Sequence, residues 1–201
     1  MSRFIRGGGL AAFAVGLALL FSVDAFSQAQ GAAVRKSVVK NKEHVAYILR
    51  SGGNLTLVVE FINDFTDQTQ GKPPARDFVW VGVDINRNKT SDSGPDAIFS
   101  VDVATNKLCP QTLYGEQATS GCGAFVSAAT YEASFKATEA QSRPHPVFTF
   151  VFPEREIMPD GKGLNLIIRA HSADLGIVVN YPERAAGKGM YSFSKTINVK
   201  F

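Results

Sequence analysis

Histidine, methionine, tryptophan and cysteine are all scarce in this 201-residue chain, which has three, three, one and two of them respectively. With them go the signatures of many enzymes. There is no Gly-x-Ser-x-Gly nucleophile turn, no His-Glu-x-x-His metal helix and no glycine-rich phosphate loop, and the three histidines stand apart in the sequence. No Cys-x-x-Cys occurs, which argues against a dithiol redox centre or a cysteine zinc site. A charge excess of one sign is also missing, with 21 basic against 18 acidic residues. The basic residues are scattered, so no cationic face of the kind that binds nucleic acid is expected. The one long apolar run lies near the start, over residues 10–23, and is shorter than the roughly 20 residues a spanning helix requires.

That run has the surroundings of a secretory signal. Arg3 and Arg6 precede it, and Ser27-Gln28-Ala29 follows with small residues at the positions a signal peptidase reads. The expectation is a signal peptide over residues 1–29 and one domain over residues 30–201, exported to the periplasm or the medium. No cysteine stands at the end of the run to carry a lipid, so no membrane anchor is expected after cleavage. In an oxidising compartment Cys109 and Cys122 are expected to form a disulfide, contributing about 3 kcal/mol.

The mature region reads as short strands separated by turn-rich loops, an all-β antiparallel β-sandwich. Strands are expected at residues 45–49 and 55–62, joined by the Ser51-Gly52-Gly53-Asn54 turn, and at 78–85, 97–103, 124–128, 131–137, 147–152, 164–170, 176–180 and 191–201. Residues 64–76 read as a surface loop and residues 153–158 as a short helical turn. In the strand over residues 78–85, Val79, Val81, Val83 and Ile85 form one face and are expected in the core. Phe78, Trp80, Gly82 and Asp84 form the other, either covered by a crossing segment or open to a ligand.

The polar loop behind that strand carries oxygen side chains at alternate positions, Asp84, Asn86, Asn88, Thr90 and Asp92, with Asp96 beyond. Calcium takes six to eight such hard ligands, so these residues are its candidate site; the other reading is that they make turns through their own backbone. The loop departs from an EF-hand, because Lys89 stands where glycine belongs, Pro95 where glutamate belongs, and a strand precedes it.

The run from residue 55 to residue 61, the strand entering Asp84-x-Asn86-x-Asn88, the re-entry at Gly94-Pro95-Asp96-Ala97-Ile98-Phe99 and the later Phe150-Val151-Phe152-Pro153-Glu154 together resemble the family 9 carbohydrate-binding modules and the related DOMON-like domains. The resemblance spans residues 55–169. It implies a jelly-roll-like sandwich, often calcium-stabilised, that binds sugar or, in the DOMON relatives, haem. A sugar clamp would use Trp80 with Phe78, and Tyr114 or Tyr131 as partner aromatics. For haem the axial candidates are His44, His145, His171 and Met158, with nothing in the sequence pairing them.

Two further readings compete. Glu154 and Glu156 have the chemistry of a glycosidase pair, yet behind Pro153 they read as the acidic first turn of a short helix. His145, between two prolines, is expected at the surface. The alternation over residues 191–201 is similar to the closing strand of an outer-membrane barrel, although Lys195 interrupts it and an ordinary edge strand explains it equally. The expected function is thus a non-catalytic, carbohydrate-binding-like module; a structural or assembly role without a small ligand is the alternative.

Overall fold

The computed structural model describes residues 33–70, 75–91, 96–102, 105, 107–114, 117–118, 121–123, 125 and 127–201. The expected signal segment, Asp92 and the side chain of Tyr114 lie outside the described residues. Twelve strands and one helical turn follow one another as β1(Val34–Lys40), β2(His44–Ser51), β3(Asn54–Phe61), β4(Phe78–Asp84), β5(Ala97–Asp102), β6(Lys107–Tyr114), β7(Gln117–Ala118), β8(Thr130–Lys136), β9(His145–Pro153), α1(Glu154–Ile157), β10(Gly163–Ser172), β11(Ile177–Tyr181) and β12(Ile197–Lys200).

Local chemistry places the hairpin. Gly52 and Gly53 both take positive φ, 57° and 75°, which a two-residue turn matching strand twist requires. β2 and β3 therefore pair in register from His44↔Phe61 to Ser51↔Asn54. They sit inside a five-stranded antiparallel sheet of order β1-β2-β3-β9-β8. The second sheet has order β11-β10-β4-β5-β6-β7, with β12 continuing the β11 edge of β10. The two sheets are open and stack as a sandwich, which argues against the barrel reading of the last strand.

The core fills the space between the sheets. Val79, Val81 and Val83 of β4 meet Phe148, Phe150 and Phe152 of β9, all buried, with Leu55, Leu57, Leu164 and Leu166 around them. This is period-two patterning read from both sides. The Cys109–Cys122 disulfide is present and ties β6 to the loop that follows β7.

Three expectations change. Phe125, Ser127 and Ala128 belong to no strand. The last strand starts at Ile197, and Tyr191 to Lys195 are turns that fold over the seven-stranded sheet. β1 and β6 were not foreseen, one because it is a charged edge strand, the other because Pro110 interrupts its pattern.

Candidate functional site

The outward side of β4 builds the site, and β10 supplies its neighbours in register: His171 beside Phe78, Arg169 beside Trp80, Ile167 beside Gly82 and Asn165 beside Asp84. The rings of Phe78 and His171 stack at 4.5 Å, and those of Phe78 and Trp80 at 5.5 Å. The Arg169 guanidinium lies 5.2 Å from the Trp80 ring centre, a cation–π contact.

Gly82 lets a second layer descend here. A Cβ at this position would stand 2.5 Å from Ile167 Cγ1 and 2.8 Å from Ile98 Cδ1. Without it, Ile98, Leu113 and Phe193 form a small outer core, with Phe193 fully buried. The same segment sets Tyr191 against Trp80, ring centres 5.8 Å apart and planes tilted by 32°. The Ser91 hydroxyl anchors it by donating to the Tyr191 carbonyl at 2.8 Å. Trp80 is thus half-buried among Phe78, Arg169 and Tyr191.

Tyr191 divides the open face into two hollows. One, of about 250 Å³, is lined by Arg76, Phe78, Trp80, Ser100, Gln111 and Tyr191. The other lies toward β11 and is lined by Arg169, Asn180, Arg184, Ser192 and Lys195, with Trp80 and Tyr191 as shared wall. Burial lowers the Arg169 pKa and the neighbouring Arg184 charge lowers it further, while Tyr191 acts in the opposite sense. Its Nε is buried without a hydrogen-bond partner. Burial likewise raises the Tyr191 phenol, with Arg169 pulling it back.

At the entry to β4, Asp77 is fully buried; one carboxylate oxygen accepts the Ala173 N–H at 2.8 Å and the other has no partner. Burial pushes its carboxyl up to about 7, partly offset by the Ala173 N–H and reinforced by Asp64. Asp64 accepts the Thr66 N–H at 3.0 Å and the Ser172 hydroxyl.

At the far end of β4, Asp84 is fully buried and organises the polar loop. Its carboxylate accepts the N–H groups of Asn88 at 3.1 Å and Lys89 at 3.0 Å, and the Asn165 amide at 3.0 Å. Asn86 accepts the Asn88 N–H, Asn88 accepts the N–H and hydroxyl of Thr90, and Asp96 accepts the Ile85 N–H. Arg87 and Lys89 adopt positive φ, 58° and 63°. Lys89 thereby takes the sharp-turn conformation for which calcium loops use glycine at the sixth position. Arg87 is ion-paired to Asp160.

The other candidates occupy separate neighbourhoods. Tyr131 belongs to the opposite sheet, inside the sandwich against Phe150 at 5.1 Å, so it is no partner for Trp80. Burial raises its phenol. His145 is not at the surface: it is fully buried, Nε2 3.1 Å from Glu60 and Nδ1 2.9 Å from the Arg143 carbonyl. Buried His44 meets the Tyr181 hydroxyl at 2.8 Å, and desolvation lowers its pKa to about 4. Met158 is buried in the core. Glu154 is paired with Arg50, and Glu156 accepts from Ser127 and Ala128. Neither the haem ligands nor a carboxylate pair facing one cleft are brought together.

Tyr191 was the aromatic neighbour that sequence reasoning missed. Its alternation with Phe193 was visible, but that period fits a strand and a crossing segment equally. Compared with protein-family models and with curated proteins, the chain matches none.

Proposed function

We propose that this chain is an exported, non-catalytic module that binds carbohydrate on the outer face of its seven-stranded sheet. One observation carries the reading: Trp80, the sole tryptophan, stands half-open between Phe78 and Tyr191 at the boundary of two hollows. A sugar ring offers an apolar C–H face to an aromatic plane and hydroxyl groups to the polar side chains around it. Ser100 and Gln111 in one hollow, and Asn180 and Ser192 in the other, are neutral donors and acceptors suited to those hydroxyls. Binding is favoured over catalysis because the histidines and the Glu154–Glu156 pair are each engaged in separate local contacts.

A glycan array probed with wild type and Trp80→Ala tests the reading. Retention of a saccharide by the wild type, lost in the variant, is the expected outcome. Retention unchanged by the substitution, or no retention, counts against it. Exposed Val178, 44% accessible and beside His171 in register, supports the alternative of a protein-facing assembly surface.

The loop after β4 is assigned in the same proposal as a calcium site that stabilises this edge of the sheet. Asp84, Asn86, Asn88 and Thr90 would hold the ion, which would supply charge neutralisation and rigidity. The positive φ at Lys89 supports this; the three hydrogen bonds already accepted by Asp84 leave its carboxylate about one free lone-pair direction. Millimolar calcium is expected to raise the melting midpoint, and Asp84→Asn to abolish the increase. An unchanged midpoint in the wild type sinks the assignment.

A further inference from the structure

The charges around the aromatic wall are not mixed. Both hollows and the adjoining groove at the loop end of β4 are lined by Arg76, Arg169, Arg184, Lys195, Lys89 and Arg87, and no aspartate or glutamate lines any of the three among the described residues. Asp84 lies behind Asn165, bonded to its amide, and Asp160 engages Arg87 at the rim. The hollows adjoin one another: Trp80 and Tyr191 border the first two, and Pro182 and Lys195 border the second and third.

At the centre sits an uncompensated pair. Arg169 is partly buried, its Nε has no hydrogen-bond partner, and the Arg184 side chain lines the same hollow. Two like charges brought together where one is being desolvated are costly unless an anion joins them. A guanidinium held over an aromatic ring also presents its fork beside whatever stacks there, and that fork matches a carboxylate.

The geometry points to a saccharide bearing carboxylates, a uronic-acid chain, as the ligand of this face, with a carboxylate received between Arg169 and Arg184 while a sugar ring rests against Trp80 and Tyr191. The inference rests on the carbohydrate reading of the Trp80 face and narrows it to acidic sugars. The neutral amide and hydroxyl groups of Asn180 and Ser192 then meet ring hydroxyls, and Lys195 and Lys89 continue the track toward the next residue of the chain.

The sole tryptophan supplies the readout, because its emission reports occupancy of its own site. The purified protein is titrated with oligogalacturonate, with the same oligomer methyl-esterified, and with a neutral β-glucan oligomer. The acid form is expected to change the emission and to bind roughly tenfold or more tightly than the ester, a difference of about 1.4 kcal/mol. Arg169→Gln and, on the exposed loop where folding is not at stake, Arg184→Gln are each expected to weaken the acid form and leave the ester unchanged. Equal binding of acid and ester overturns the inference and leaves the sugar reading standing. Silence of all three saccharides overturns both. Tighter binding of dextran sulfate or of a single-stranded oligonucleotide than of the uronate also overturns the inference, since charge alone would then explain the track.

Discussion

The outer faces of the two sheets are each partly roofed by a loop, and the roofs differ in what they leave satisfied. Over the five-stranded sheet, residues 137–144 close on Glu60 and His145. Glu60 accepts from the Thr138 hydroxyl and meets His145 Nε2, while His145 Nδ1 faces the Arg143 carbonyl and Gln141 bonds the Ile62 carbonyl. Both ring nitrogens of His145 face acceptors, so the network is closed through local contacts. Over the seven-stranded sheet, the roof is apolar at Phe193 and reaches Trp80 only through Tyr191. There the Nε of Arg169 is left without a partner. A satisfied buried network holds a fold, whereas a buried guanidinium nitrogen without a partner leaves bonding capacity for a ligand of the kind proposed. On the proposed reading, the first face holds the fold and the second is the one that binds.

The strongest test removes the apolar roof. Phe193→Ala is expected to cost about 4 kcal/mol in urea unfolding, since it empties a fully buried position, and to alter the near-ultraviolet signal of Trp80 by releasing Tyr191. A loss below about 1 kcal/mol would mean the crossing segment is not packed there. His145→Ala should cost about 3 kcal/mol by leaving buried Glu60 with only the Thr138 hydroxyl, yet leave the proposed saccharide binding at wild-type strength. Lost binding with little destabilisation would reverse the roles of the two faces.

A smaller effect sharpens the contrast at Asp77. Its carboxyl titrates near 7 in the folded protein, against 3.8 for the free group, so the unfolded chain gives up this proton first as pH rises. Stability from this group is therefore highest below about pH 4, falls through pH 4 to 7 and is flat above. Asp77→Asn keeps an acceptor for Ala173 and removes that fall. It is expected to stabilise the protein by about 1–2 kcal/mol at pH 8 and by nothing at pH 4. Equal midpoints at pH 8 would show that Asp77 is already compensated.

Much of the scaffold was legible in the residues. Alternating valines fixed which side of β4 faces the core, paired glycines marked the β2–β3 turn, and two cysteines in an otherwise cysteine-free chain marked the disulfide. The site was legible only in part. Trp80 and Phe78 could be placed on one face, but their neighbours Arg169, His171 and Tyr191 come from residues about 90 to 110 positions later, through strand pairing that no local pattern reports. Tyr191 and Phe193 alternate because both face a sheet, not because they lie in one. His145 misled for a related reason: its flanking prolines suggest a loop, whereas they begin a strand whose outer side is covered by the loop before it.

The crossing segment also puts the site in a temporal order. Trp80 is made early in the chain, and Tyr191 and Phe193 follow only after eleven of the twelve described strands. A nascent polypeptide can assemble most of both sheets while its aromatic wall has only one side. The face proposed to bind a ligand is therefore completed late, and before that stage it is a sheet without a shelf.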